Sequence, residues 1–398
     1  MEEIRKKIQT LAEAYFDEIV SLRRKIHANP ELAYDEHETA KLVIGFLREN
    51  QIKFKEKVAK TGVVGWINDS GKNVKNIALR ADMDALPIFE KTEVDYISKT
   101  PGKMHACGHD VHTASLLGAA KILNQLKKDL NGSVKLIFQP SEEKYPGGAK
   151  AMIAEGVLEN PKTGYIFGQH VFPELESGKV GMKSGKYMAS TDEVFLTVKG
   201  RGGHGAIPHK NVDPVLIASY IVIALQQIVS RNSNPAMPTV LSFGRFIADG
   251  QTNIIPDAVK ISGIIRTFDE NWRAEIKTRI RKIAKSVAEG MGGECDVFID
   301  QGYPFLVNDP GLTEETRQFA IEYLGAENVV ELELRTTAED FAYFSQHVPG
   351  CFYRLGTRNE AKGIVANLHT ATFDVDESSI KTGMGLMAWI AFRKLLNG

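Results

Sequence analysis

The sequence predicts an α/β protein, a mixed and mostly parallel sheet flanked by helices, with an inserted ferredoxin-like α+β domain. Three observations predict it. Apolar strand-like runs alternate with helical periodicity up to about residue 188, the pattern of helices covering a parallel sheet. Residues 189–301 change to the order β-α-β-β-α-β, that of a split βαβ unit. From 302 to 398 the α/β character returns, so one domain (1–188 and 302–398) is interrupted by a smaller one at 189–301. A length of 398 residues fits this division into two or three domains.

The elements follow in order. Residues 4–28 and 36–50 carry apolar residues at helical spacing, and Asn29-Pro30 marks a turn between them. GVVGWIN (62–68) and NIALRA (76–81) read as strands. Residues 113–129, rich in Ala and Leu and basic at the end, predict a helix. Asn131-Gly132 then turns the chain into SVKLIFQP, a short apolar strand. A helix over 147–157 and the strand YIFGQHV complete the first part. In the insert, EVFLTVKG is a strand and DPVLIASYIVIALQQIVS a buried helix. TVLSFGRFIA and DAVKISGIIRTF are strands, 272–289 an amphipathic helix and ECDVFID the last strand. Helices near 311–324 and 379–396 close the chain.

Composition narrows the function. The chain is 43% hydrophobic and 25% charged, which argues against disorder over most of its length. With 49 basic and 50 acidic residues, nothing in the charge calls for nucleic acid or an anionic membrane as partner. No apolar run reaches the roughly 18–20 residues of a membrane span, and the start MEEIRKKIQTLAEAYF lacks the pattern of a secretion signal. Three cysteines, odd in number and far apart, suit a reducing compartment. A cytoplasmic location is therefore expected.

The chemistry concentrates in a few stretches. MHACGHDVHTA (104–114) places Cys107, His109, Asp110 and His112 in a predicted loop before a helix, with Gly108 free to bend the backbone. Thiolate and imidazole two residues apart suit zinc and other late first-row metals. In FQPSEEKYPGGA (138–149), Glu142 and Glu143 follow an apolar strand. Adjacent side chains at a strand end diverge, so one carboxylate can bind a metal while the other faces the water to be activated. His170 ends YIFGQH, and His369 stands in NLHTATFDVD. RADMDALP adds Asp82 and Asp84, two apart on one side of an extended segment, at the strand end where open α/β sheets build sites. His27, His37, His209 and His347 read as surface residues, and Cys295 and Cys351 as packing residues. His105 and His112 flank the cluster without joining the ligand set.

These motifs, with GGHGAIP, TNIIPD and LHT, occur in an order that resembles the dinuclear-metal aminoacylase/carboxypeptidase family. The branch it resembles most holds hippurate hydrolase, N-acetyl-diaminopimelate deacetylase and the indole-acetyl-amino-acid hydrolases. The resemblance runs from about residue 20 to the end. It implies a zinc-peptidase-like catalytic domain and two divalent metal ions (zinc, manganese, nickel or cobalt). Cys107 would bridge them where other branches use Asp; Glu143 and His369 would complete one site, His109 and His170 the other. Glu142 would be the general base, and Asp84 a carboxylate that steadies the site. Asp82 stands where other branches have a metal-binding His, which moves that role to His109.

In the insert, His204 would stabilise an oxyanion, often from the partner subunit of a dimer, and Asn253 and Arg266 would hold the substrate's carboxylate or carbonyl. The implied reaction is hydrolysis of N-acyl amino acids by a homodimer or higher homo-oligomer. A metallo-carboxypeptidase or dipeptidase acting on short peptides is the alternative. Gly185, Gly200 and Gly302 are candidate hinges for closure of the small domain. Two rivals differ in class: a thiol hydrolase using Cys107, which leaves the Glu pair idle, and a non-catalytic amino-acid or metal-binding protein, which has no need of Glu142.

Overall fold

The computed structural model describes residues 1–68 and 75–397. The chain divides into two compact units: Met1–Tyr187 with Val307–Leu334 and Asp340–Gly398, and Met188–Leu306 with Arg335–Glu339.

The first unit is built on an eight-stranded sheet. Its order is Lys53–Val58, Gly62–Ile67, Ser133–Gln139, Asn76–Asp82, Tyr165–Glu176, Gly350–Arg358, Val180–Met182 and Val329–Glu331. The central strands Ser133–Gln139, Asn76–Asp82, Tyr165–Glu176 and Gly350–Arg358 run parallel to one another. Every residue of Asn76–Asp82 and Ser133–Gln139 is buried, as expected of strands covered on both faces. The helices Glu2–His27, His109–Gln125 and Ser378–Asn397 pack together and contribute to one apolar core with the sheet. Gly350–Arg358 was not foreseen from the sequence. GCFYRLGTR carries Gly, Arg and Thr among its apolar residues, so it lacks the apolar run that marked the other central strands.

The helix carrying the Cys/His cluster begins earlier than expected. It spans His109–Gln125, so His109, Asp110 and His112 stand in its first turn and not in a loop. Gly108 caps it in the left-handed conformation (φ 77°), and a β-carbon there would meet Val171 Cγ2 at 2.5 Å.

The second unit carries an antiparallel sheet ordered Thr239–Ala248, Ala258–Thr267, Asp192–Lys199, Glu294–Gln301. That is the ferredoxin-like order. The helices Pro214–Leu225 and Glu270–Gly290 pack against one another and share a core with this sheet. Asp213 caps the first helix, accepting from Val215 N–H at 2.8 Å, and Asp269 caps the second, accepting from Trp272 N–H at 2.9 Å. The first helix is not buried all round. Ile217, Ile221 and Leu225 face the core, whereas Leu216, Tyr220 and Ile223 are 50%, 53% and 69% exposed.

Pro214–Asn232 is also, by length and composition alone, the one segment among the described residues apolar enough to cross a membrane. The sequence predicts no such run there, because Ser219, Gln226 and Gln227 interrupt its apolar residues. Of the expected hinges, Gly200 directly follows the strand Asp192–Lys199, its N–H donating to Asp257 O at 2.9 Å. The Gly302 carbonyl accepts from Arg273 Nη2 at 3.0 Å. Gly185, at φ 73°, stands two residues before the unit boundary at Tyr187, and Gly302 stands four before the one at Leu306.

Candidate metal centre

Sheet register sets the level of the site. Asp82 is opposite Gln139 on one side, and Arg80 is opposite Gly168 on the other. His170, two residues beyond Gly168, therefore lies level with Asp82, and Ser141, Glu142 and Glu143 continue from the end of the Gln139 strand. His170 does not close its strand; it stands midway along Tyr165–Glu176. His369 arrives from the C-terminal part of the chain with a left-handed backbone (φ 61°), its N–H donating to Ala106 O at 2.8 Å. That bond ties it to the loop bearing Cys107.

Two donor sets result, and they share the cysteine. Cys107, His109 and His170 form one; Cys107, Glu143 and His369 form the other, with the donor atoms of each set within 4.8 Å of one another. Cys107 Sγ is 3.5 Å from His170 Nε2 and 3.3 Å from His369 Nε2. Glu143 Oε1 lies 3.5 Å from His369 Nε2 and 3.9 Å from His109 Nε2. Glu142 joins His109 and Glu143 in a third such group, and its Oε1 accepts from Asp340 N–H at 3.3 Å.

A buried polar network orients these donors. Asp84 accepts from the N–H groups of Glu142 and Glu143, both at 2.9 Å, and lies 3.4 Å from His109 Nδ1. His112 Nδ1 meets Asp82 Oδ1 at 2.6 Å, and its Nε2 accepts from Val171 N–H at 2.8 Å. Both nitrogens of His112 are thus used, which leaves none for a metal. His170 Nδ1 donates to Val171 O at 2.7 Å, so Nε2 presents its lone pair toward Cys107. Arg80, fully buried, bonds Asp82 (2.7 Å), Gln139 (2.8 Å) and Asp340 (2.8 Å).

The donor set fits a metal. His109 Nδ1 and Nε2 and Glu143 Oε1 are buried and have no well-aligned hydrogen bond among the described residues. Such orphaned groups are costly unless another partner takes them. The local field favours positive charge. His369 is pushed up to about 10 by its bonds with Cys107 and Glu143. Burial would lower His109, yet the Asp82 carboxylate and Cys107 outweigh it and raise it well above the usual imidazole range. Divalent ions would replace those protons, as metal binding to imidazole and thiol ordinarily does. His170 is pushed down by burial and by Arg354, which keeps it a neutral ligand.

The residues expected in the insert are placed in the second unit. His204 and Asn253 share a small ribbon: His204 pairs with Ile254, and Gly205 N–H donates to Asn253 O at 2.9 Å. Both are exposed. Arg266, half-buried, lies on Ala258–Thr267 with its guanidinium bonded to Thr191 Oγ1 and, at 3.2 Å, to Ile265 O. One histidine departs from expectation. His27 is not on the surface; it is 1% exposed, between Asp110 (2.8 Å) and Glu90 (3.0 Å). Arg23, fully buried, bonds the same Asp110 at 2.7 Å and Asp374 at 3.2 Å. Their spacing of four on a helix was the available signal, since it puts both on one face. Asp340 was also missed; a lone Asp before a short helix reads as a cap.

Known proteins resemble the chain over most of its length. Residues 78–393 match peptidase family M20/M25/M40. The chain is 40% identical to IAA-amino acid hydrolase ILR1-like 4 of Arabidopsis thaliana, covering 100% of this chain and 90% of that one. It is 42% identical to thermostable carboxypeptidase 2 of Saccharolobus solfataricus, covering 95% of each. A crystal structure of the Bacillus subtilis YXEP protein, described as a dinuclear metal binding peptidase, superposes with TM-score 0.83 at 34% identity, covering 97% of this chain and 100% of that one. Fold, donor sets and sequence converge: the chain belongs to peptidase family M20/M25/M40 and is a hydrolase of amide bonds.

Proposed function

We propose that this chain hydrolyses the amide bond joining an acyl group to an amino acid, using two divalent metal ions. The observation that carries the reading is the pair of donor sets sharing Cys107, with Glu142 in the same turn as Glu143. Glu143 and His369 would hold one ion, His109 and His170 the other, and Cys107 both. The description of the Bacillus relative as dinuclear supports two ions. Among zinc, manganese, nickel and cobalt, the thiolate and imidazole donors favour the late metals, zinc above all, and the carboxylate suits manganese. Bound ions of this kind lower the pKa of a water and polarise the scissile carbonyl.

The protein's own groups do the rest. Glu142 takes the proton of the attacking water on a carboxylate oxygen and passes it to the leaving amine. Asp84 fixes the direction of Glu142 and Glu143 through their N–H groups. His204 Nδ1 accepts from Ala206 N–H at 3.1 Å, so Nε2 carries the hydrogen and is the nitrogen left to donate to an oxyanion. Asn253 and Arg266 recognise the substrate's carboxylate or carbonyl, a task to which the guanidinium fork is suited.

An N-acyl amino acid is the substrate class, as the name of the Arabidopsis relative suggests for that protein. A second reading, short or N-blocked peptides cut at the C-terminal bond, is favoured by the 42% identity to a carboxypeptidase. A homodimer joined through Leu216, Tyr220 and Ile223 fits their exposure. Three free, buried cysteines suit a reducing compartment such as the cytoplasm.

The test is Glu142→Gln, assayed on N-acetyl and N-benzoyl amino acids and on dipeptides. Turnover should fall by about 10²–10⁴-fold with metal content unchanged; wild-type turnover in this variant excludes Glu142 as the base. Chelation with EDTA should abolish activity, and added divalent metal should restore it. A thiol hydrolase would keep working in EDTA.

A further inference from the structure

Three consecutive amides in the turn that ends in Glu142 and Glu143 are each bound by a side-chain carboxylate from elsewhere in the chain. Asp84 takes the second and third. The first, Ser141 N–H, donates to Glu36 Oε1 at 2.8 Å. The same oxygen accepts from Tyr34 N–H at 2.9 Å, and Oε2 accepts from the Thr61 hydroxyl at 2.5 Å. Glu36 is fully buried and belongs to neither donor set.

The turn needs such a partner. Ser141 has a left-handed backbone (φ 52°), a conformation disfavoured for a residue with a β-carbon. Its carbonyl is held by Gly148 N–H at 2.8 Å and its hydroxyl donates to Lys144 O at 3.3 Å, so the N–H of the preceding peptide is the group left for Glu36. Without an acceptor that buried N–H would be unsatisfied. Rotation of the turn to relieve it would re-aim the next residue, Glu142. Glu36 is itself fixed by the local Tyr34 N–H and by the Thr61 hydroxyl 25 residues away, so the turn is tied to a carboxyl group that is held at both oxygens.

We propose that Glu36 is a positioning residue of the hydrolytic site, holding the Ser141 turn so that Glu142 and Glu143 keep their directions. This rests on the reading of Glu142 as base and Glu143 as ligand. In metal-saturated enzyme, Glu36→Ala should lower kcat by about 10–100-fold and leave KM within about twofold. Glu36→Gln keeps an oxygen for Tyr34 and Ser141 and should stay within about threefold of wild type. Glu36→Asp is too short to reach both amides and should behave like the alanine variant; it carries the test if Glu36→Ala does not fold. Because Glu36 acts through its neighbours, Glu36→Ala added to Glu142→Gln should cost less than about threefold further.

A wild-type kcat in Glu36→Ala or Glu36→Asp, with Glu142→Gln inactive, overturns the proposal alone. So does a lowered melting temperature without loss of kcat, which is what a purely structural role would give. Wild-type turnover in Glu142→Gln removes the underlying reading, and the proposal with it.

Discussion

The carboxylates of this site are sorted by what surrounds them. Glu143 has an orphaned oxygen toward Cys107 and two imidazoles, the surroundings of a ligand. Asp84 is spent on two amides. Asp82 is spent on Arg80 and His112, which accounts for its absence from the expected ligands. Cys107 is pushed up by burial and by the Glu143 carboxylate, the opposite of what an activated thiol nucleophile requires. Glu36 lies in surroundings that favour its neutral form: burial, assisted by the Asp84 charge, pushes it up to about 7. An acid whose folded pKa is raised stabilises the fold fully below its unfolded pKa, and that contribution is lost as pH rises through the folded value. Glutamine has no charge to bury. Glu36→Gln should therefore gain stability over wild type as pH rises from about 4.5 through about 7, by up to about 3 kcal/mol. Denaturant midpoints measured for both proteins across that range check it; a constant difference would refute it.

At the scale of elements, the site depends on where strands stop and one helix starts. The strand at 133–139 and the turn after it were legible because an apolar run ends abruptly in Pro140-Ser141-Glu142-Glu143. The helix starts four residues before its sequence pattern because His109, Asp110 and His112 read as polar loop, whereas all three are buried. Gly108 makes this start possible by its left-handed cap and by leaving room for Val171, the neighbour of His170. Gly108→Ala should cost about 2–5 kcal/mol from left-handed strain and overpacking. It should also weaken metal binding, because the displaced Val171 both anchors His112 and receives His170 Nδ1–H. Chemical denaturation with metal titration measures both; an unchanged metal affinity would show that cap and ligand geometry are uncoupled.

For the whole molecule, a long helix with an apolar outer face needs an explanation. Scattered apolar residues on a surface are ordinary, but Leu216, Tyr220 and Ile223 lie three and four apart and form one stripe. If that stripe is the dimer seam, Leu216→Glu with Ile223→Lys should yield a monomer by light scattering while the metal content stays at the wild-type level. A dimer that survives both changes places the seam elsewhere.

What was legible in the amino-acid order was whatever depends on near neighbours. The alternation of strand and helix, the β-α-β-β-α-β insert and the motifs around Cys107, Glu142 and His369 are all local patterns of residue type and spacing. What only the tertiary structure decided depends on partners far apart in the chain. His27 and Arg23 meet Asp110 across 83 and 87 positions, Asp340 meets Arg80 across 260, and Glu36 meets Ser141 across 105. A histidine or glutamate is read as a surface residue until a partner compensates its burial. That compensation is set by packing and register, not by the residues on either side.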